Sequence, residues 1–259
     1  MFQSPSIKSR RTAVKAGIGA SIGVALVNLA RGATHASQDK MLNQSRNVLL
    51  DEYAVSQLVM RERQARETHD FDAEAACFHP DAGVEVSWFS GTATEFVEAG
   101  RKSSMAGSDA NAAAPVFFDS MSPAAVWVKG DRAIADTSCA VHMFAELDGV
   151  GAHVTSYSRL LWRAQRYNSR WLIAGLHGIY IRDTLEACNP AQVPVIDLNK
   201  LAGFRSSYKH LSYLISARGG PVRNDRAGVD RPDLVAALRA AEQAWLNGQT
   251  ESKDVRRAE

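Results

Sequence analysis

A chain of 259 residues with 46% hydrophobic and 22% charged side chains has the make-up of an ordinary globular protein, long enough for one substantial core or one domain with an extension. Its formal net charge of +2 belongs to one end: the first 36 residues hold Lys8, Arg10, Arg11, Lys15 and Arg31 and no acid, so that of 30 Lys+Arg only 25 stand against 28 Asp+Glu beyond Ala36. That acidic balance, with no basic run in the folded part, excludes a nucleic-acid-binding surface, and three scattered cysteines, Cys77, Cys139 and Cys188, exclude a metal knuckle or a disulfide framework and leave a thiol over if any bridge forms.

At the start of the chain, Ser9-Arg10-Arg11-Thr12-Ala13-Val14-Lys15 and the uncharged run from Ala16 to Ala30 resemble a twin-arginine export signal, the alternative being a buried core helix preceded by a basic arm. The run is about fifteen residues, shorter than the ~20 a membrane-spanning helix needs, so no stable membrane span is predicted. Small residues at Thr34-His35-Ala36 place cleavage after Ala36. On this reading residues 1–36 are a signal peptide, 37–47 a linker, and the mature protein is periplasmic or secreted and exported already folded.

From Val48 to Glu67 the apolar positions Leu49, Tyr53, Leu58 and Met60 lie among charges, the pattern of an amphipathic helix. His69-Asp70-Phe71-Asp72 interrupts it, and Asp70 or Asp72 can cap a short second helix reaching Phe78. Pro80-Asp81 turns the chain; Val84 to Phe89 reads as a strand, and Thr94 to Ser103 as a third helix with Thr92 or Thr94 as its cap. Met105 to Ala114 is small and polar, a surface loop. Four strand-like runs follow, Ala124–Lys129, Arg132–Leu147, His153–Ala164 and Arg170–Ile181. The turn clusters Lys129-Gly130-Asp131, Asp148-Gly149-Val150-Gly151 and Tyr167-Asn168-Ser169 separate them as in an antiparallel meander. Helices first and a long curved sheet afterwards indicate an α+β fold. Beyond Pro190 and Pro194, Asp197 can cap a helix carrying Leu198, Leu201, Phe204, Tyr208, Leu211 and Ile215, ended by Gly219-Gly220-Pro221. Pro232 opens another, with Leu234, Val235, Leu238, Trp245 and Leu246. These two helices form a C-terminal extension over 189–248, and 249–259 is a charged, disordered tail.

His69-Asp70-Phe71-Asp72, Phe78-His79-Pro80-Asp81-Ala82, the run Val126 to Ala135 and Trp171-Leu172-Ile173-Ala174-Gly175-Leu176, taken in that order and spacing, resemble the SnoaL-like branch of the nuclear transport factor 2 (NTF2-like) superfamily over roughly Val48 to Arg182. The resemblance implies a domain over 48–188 folded as a cone: a bent antiparallel sheet wraps a long N-terminal helix and leaves a cavity open at one end. It also implies a homodimer through the sheet face, and a range of roles from scytalone dehydratase and ketosteroid isomerases to polyketide cyclases and non-catalytic binding proteins. In the dehydratase-like members histidine, carboxylate and tyrosine groups inside the cone move a proton beside a carbonyl, with no cofactor and usually no metal.

Carried over position by position, the resemblance sets Glu67 where the dehydratase has an interior aspartate near the end of the long helix, as a candidate general base. Where that enzyme has its first histidine the best-matching positions are Phe118 and Asp119, and Asp119 is the candidate second acid or base; the second histidine falls near Asp136 or Thr137. Tyr157 and Arg159 occupy a strand where relatives place cavity-facing polar groups, and period two sets them on one face. If that face is the inner one, Tyr157 is a hydrogen-bond donor and Arg159 an anion stabiliser paired with Glu67; if not, both face solvent or an interface. His177, near the end of the last strand, is a candidate proton shuttle or a structural hydrogen-bonding residue. His142 and His153, on neighbouring strands, could meet across the ladder as a metal pair or stay individually hydrogen-bonded, and the second is the expectation, so that neither metal nor cofactor is predicted. The function expected is a cofactor-free lyase or isomerase on an apolar small molecule, the alternative a periplasmic binding or assembly module using the same cavity or sheet face.

Overall fold

The computed structural model describes residues 13–106 and 116–249. The arginine pair at 10 and 11, most of the loop at 105–114 and the tail from 250 lie outside the described residues. Helix α1 runs Ala13–Glu67. The stretch 37–47 expected as a linker has helical backbone, since it holds neither glycine nor proline to stop a helix. The chain divides after Leu50 into two compact units. The described part of the first is the leading segment of α1, and no helix among the described residues is long and apolar enough to cross a membrane.

The second unit, from Asp51, holds the sheet. Thr68 and Asp70 close the last turn of α1 onto Gln64 and Ala65 carbonyls, His69 takes a positive φ of 58°, and the Asp70 carboxylate caps α2 (Phe71–Ala75) by accepting from the Ala73 N–H. Strands β1 (Phe78–Val86) and β2 (Phe89–Thr92) come next. Thr92 and Glu95 then form a capping box, the Thr92 hydroxyl accepting from the Glu95 N–H and the Glu95 carboxylate from the Thr92 N–H, which starts α3 (Ala93–Ala106). Beyond 116 come β3 (Val116–Met121), β4 (Ala125–Lys129), β5 (Arg132–Leu147), β6 (Val150–Tyr167) and β7 (Arg170–Ala187). Asp148-Gly149 and Asn168-Ser169 make two-residue turns with positive φ at both positions, which matches the right-handed twist of the long hairpins β5–β6 and β6–β7.

The strand order is β2-β1-β7-β6-β5-β3, with β4 also on β5 and a short β8 (Ala227–Gly228) on β7. The sheet is not antiparallel throughout: β1 and β8 both run parallel to β7, because each reaches it through a long connection and not through a hairpin. Its concave face holds the core, where Val55, Leu58 and Val59 of α1 pack with Phe96, Ala135, Cys139, Trp162 and Leu176. The mixed α+β order and the curved sheet around the last turns of α1 are those expected.

The C-terminal extension departs from the expected pair of helices. Asp197 caps α4 (Leu198–Ala202) as predicted, but the helix stops at Gly203, and Arg205 turns away to a salt bridge with Asp230. A separate α5 (Lys209–Ala217) comes after it, then α6 (Pro232–Leu246) with proline in its first turn. Tyr208, Leu211 and Leu214 pack on Tyr180, Val154 and Leu147, whereas Leu234, Val235 and Leu238 of α6 cover Leu161 and Ile179 on the convex face. All three cysteines are free thiols, Cys77 and Cys139 buried and Cys188 exposed.

Candidate active site

Helical spacing sets Val55, Val59, Glu62, Arg63 and Arg66 along one stripe of α1, so the face that enters the core as aliphatics leaves it as charges. Glu62 is fully buried and accepts two hydrogen bonds from the Arg63 guanidinium. Arg63 Nη1 donates to Asp119 Oδ2 at 3.1 Å, and the Asp119 backbone N–H donates to Glu67 Oε1 at 2.7 Å. One turn along α1, Arg66 Nη1 donates to Glu74 Oε1 at 2.9 Å. The two arginines lie against aromatic faces, Arg63 5.0 Å from the Trp162 ring and Arg66 4.1 Å from Phe96, with Trp88 and Phe117 beyond.

Strand alternation delivers the sheet's share. On β3, Phe117, Asp119 and Met121 turn inward while Val116, Phe118 and Ser120 are exposed. On β5 and β6 the inner residues include Ala135, Thr137, Cys139, Leu160 and Trp162. The Thr137 hydroxyl, the Trp162 indole N–H and Glu74 Oε2 are buried with no protein hydrogen-bond partner.

The electrostatics result from this crowding. Burial pulls the Arg63 guanidinium down, but Glu62 and Asp119 outweigh it and hold the group above the ordinary arginine value. Arg66, buried beside Arg63, is held below it. Burial raises both Glu74 and Glu67, and the N–H of Asp119 only partly offsets this for Glu67. Burial also pushes the Cys77 thiol up to about 11 and Cys139 higher still, so neither is a nucleophile at neutral pH.

Two of the five predicted site residues, Glu67 and Asp119, therefore stand side by side at the inner wall. The other three do not join them. Tyr157 and Arg159 face outward: Tyr157 is 41% exposed, and Arg159 is paired with Asp136 at 2.9 Å and not with Glu67. The odd-numbered residues of β6 at this level point to the convex face, so the pair shares one face as period two requires, and it is the outer one, which removes both from the candidate site. His177 lies on that same face under α6, its Nδ1 2.9 Å from Glu242 Oε1, where Arg163 also reaches Glu242. Glu62, Arg63, Arg66 and Glu74 stand beside Glu67 and Asp119 and are not among the residues singled out from the sequence. Their signal was the continuation of the Val55–Val59 stripe into charged positions. A separate surface groove of about 730 Å³, lined by Arg61, Arg170 and Trp171 among others, contains none of these six charged side chains.

The family model of the SnoaL-like domain matches residues 47–177. A PEP2-like protein of Fusarium vanettenii is 27% identical over 194 residues, covering 71% of this chain and 80% of that protein. Among solved structures, an NTF2-like protein with a cystatin-like fold from Novosphingobium aromaticivorans is 20% identical with a TM-score of 0.40, over 53% of this chain and 86% of the other. A hexachlorocyclohexane dehydrochlorinase, LinA-type3, from Novosphingobium barchaimii is 12% identical with a TM-score of 0.43, over 57% and 96%. Neither score reaches 0.5, and the family assignment rests on the match over 47–177.

Proposed function

The chain belongs to the SnoaL-like family, and on that premise we propose that it is a lyase or isomerase that moves a proton beside a carbonyl of an apolar small molecule without a cofactor. The observation that carries the reading is the Glu67–Asp119–Arg63 constellation. Of its two carboxylates Glu67 is the one without an arginine hydrogen bond, and its raised pKa gives a carboxylate of useful basicity. In the proposed step a C–H bond beside the carbonyl breaks, the proton passes to Glu67, and the charge gathers on the carbonyl oxygen, stabilised by the guanidinium of Arg63 or Arg66. The proton then returns from Glu67 at another carbon, giving an isomer, or the enolate re-forms the carbonyl and expels a group from the next carbon, which departs with its bonding pair and takes the proton from Glu67, giving an elimination product and the free carboxylate. Asp119 holds Arg63 in place through its side chain and Glu67 through its backbone. Trp88, Phe96, Phe117 and Trp162 pack against the two guanidiniums, and this aromatic surrounding is in keeping with an apolar substrate.

The test is exchange. A panel of apolar ketones and lactones is incubated with the protein in D₂O, and loss of the α-proton signal is followed by NMR. Enzyme-dependent exchange that falls by about 10²-fold or more in Glu67→Gln supports the reading; no exchange with any member, or exchange unaffected by the substitution, removes it. A ligand retained in native mass spectrometry without exchange would favour the second reading, a non-catalytic binding module, which has in its favour that both interior arginines already hold carboxylate partners.

We also propose that residues 1–36 direct export by the twin-arginine route. Arg10→Lys with Arg11→Lys should retain the full-length precursor in the cytoplasm, and unchanged export of that variant would overturn the proposal. A homodimer through the convex sheet face would have to use the part beyond α6, around Phe118 and Tyr157; size-exclusion chromatography decides it.

A further inference from the structure

On the convex face, away from Glu67 and Asp119, β5 and β6 bring three donor atoms together. His142 Nδ1 and His153 Nε2 are 3.1 Å apart, and Thr155 Oγ1 is 3.4 Å from the first and 3.1 Å from the second. The register explains the triangle. His142 sits directly opposite Thr155, His153 is two residues before Thr155 on the same strand, and all three therefore share one face. From this arrangement we propose that His142, His153 and Thr155 form a binding site for a divalent transition ion, of which Zn²⁺ is the representative.

Bite, orientation and rigidity support it. Two nitrogens each about 2.05 Å from a zinc ion at the tetrahedral angle stand about 3.3 Å apart, close to the spacing found here. The other nitrogen of His142, Nε2, faces Ser120 Oγ at 3.3 Å. With its N–H donated to that oxygen, His142 turns the lone pair of Nδ1 toward the centre, the arrangement that fixes a metal-binding imidazole. Each ring is also held in plane by an aromatic neighbour: Phe118 stacks on His142 at 4.4 Å and 13°, Phe144 on His153 at 4.2 Å and 7°.

The choice of ion class comes from the donors. Two imidazoles and a hydroxyl suit zinc, copper or nickel, and give magnesium and calcium, which take all-oxygen shells, little to bind. Phe118 is 40% exposed, so in the single chain the remaining coordination positions point to water.

Isothermal titration of the untagged full-length chain with ZnCl₂ at pH 7.4 tests the proposal. One ion per chain with a Kd of about 10 µM or tighter is expected. His142→Gln and His153→Gln should each weaken binding at least 30-fold, and Ser120→Ala about tenfold through the lost support. His79→Gln should change nothing. Because misfolding also lowers affinity, each variant is melted without metal first, and the rise in melting temperature on adding Zn²⁺ should be confined to chains retaining both histidines. With Co²⁺ as a probe, visible d–d bands of a low-coordinate site should appear in the parent and vanish in either Gln variant. No binding tighter than about 100 µM in the parent, or undiminished binding in the two Gln variants while they melt normally, overturns it.

Discussion

Glu67 and Asp119 are neighbours in space with opposite surroundings, and the difference divides their tasks. The Asp119 side chain is tied to Arg63, which Glu62 also holds. Glu67 accepts only from a backbone N–H, is partly open to water, and titrates above the ordinary glutamate value of 4.5 because of burial. A base must be ionised to act, so the rate of the proposed exchange should rise with pH through an acid limb whose midpoint lies above 4.5; a flat profile from pH 4 to 8 would count against Glu67. Removing its charge should leave the fold standing, Glu67→Gln shifting stability by no more than about 0.5–1 kcal/mol in urea unfolding. Arg63 is the contrasting case. Arg63→Met leaves Glu62 and Asp119 buried without their counter-charge, and should destabilise the protein by about 3–5 kcal/mol. Equal losses from the Glu67 and Arg63 substitutions would show that the division of tasks is wrong.

Among the elements, those bounded by local chemistry were legible and those decided by tertiary contact were not. The hairpin turns at Asp148-Gly149 and Asn168-Ser169, the Asp70, Thr92 and Asp197 caps and the proline opening α6 all stand where the residues indicate. The parallel pairing of β1 with β7 and the break between α4 and α5 depend on partners more than twenty residues away in the chain, which no local pattern records. The same limit applies to the site. Alternation put Tyr157 and Arg159 on one face, but the choice of face was made by Leu160 and Trp162 packing into the core with α1, and outside it Arg239 of α6 joins Arg159 at Asp136. The α6 contact also makes a pH-dependent anchor. Burial alone would raise Glu242, yet His177 and Arg163 hold it below 4.5. Its contribution is therefore fully present above 4.5 and is lost as pH falls through the lower folded value. Glu242→Ala should cost about 3 kcal/mol at pH 7, and the gap from the parent should narrow steadily in melts taken below pH 4.5; a gap independent of pH would remove the carboxylate from the anchor.

At the scale of the whole molecule, the family match ends at residue 177, while the sheet it belongs to continues to Ala187 and is covered by the C-terminal extension. The extension works on both faces at once. Tyr208, Leu211 and Leu214 lie on Leu147, Val154 and Tyr180, and α6 lies on Leu161 and Ile179 of the convex side. Tyr180 links this cover to the family fold, its hydroxyl accepting from the Ser87 N–H at 2.7 Å while its ring meets Tyr208 at 4.7 Å. Two further threads bind the same layer: the Arg223 N–H donates to the Ser87 carbonyl, and Arg226 pairs with Glu85 on β1. A chain ending at Cys188 would keep every strand from β1 to β7 and yet expose two apolar patches that the described fold never shows to water. Such a truncation should bind a hydrophobic dye, aggregate at micromolar concentration and lose cooperative melting, whereas Arg226→Ala alone should give only a modest drop in melting temperature. If the truncated chain is instead monomeric, dye-silent and melts like the parent, the extension is an accessory and the SnoaL-like domain of this protein is complete without it.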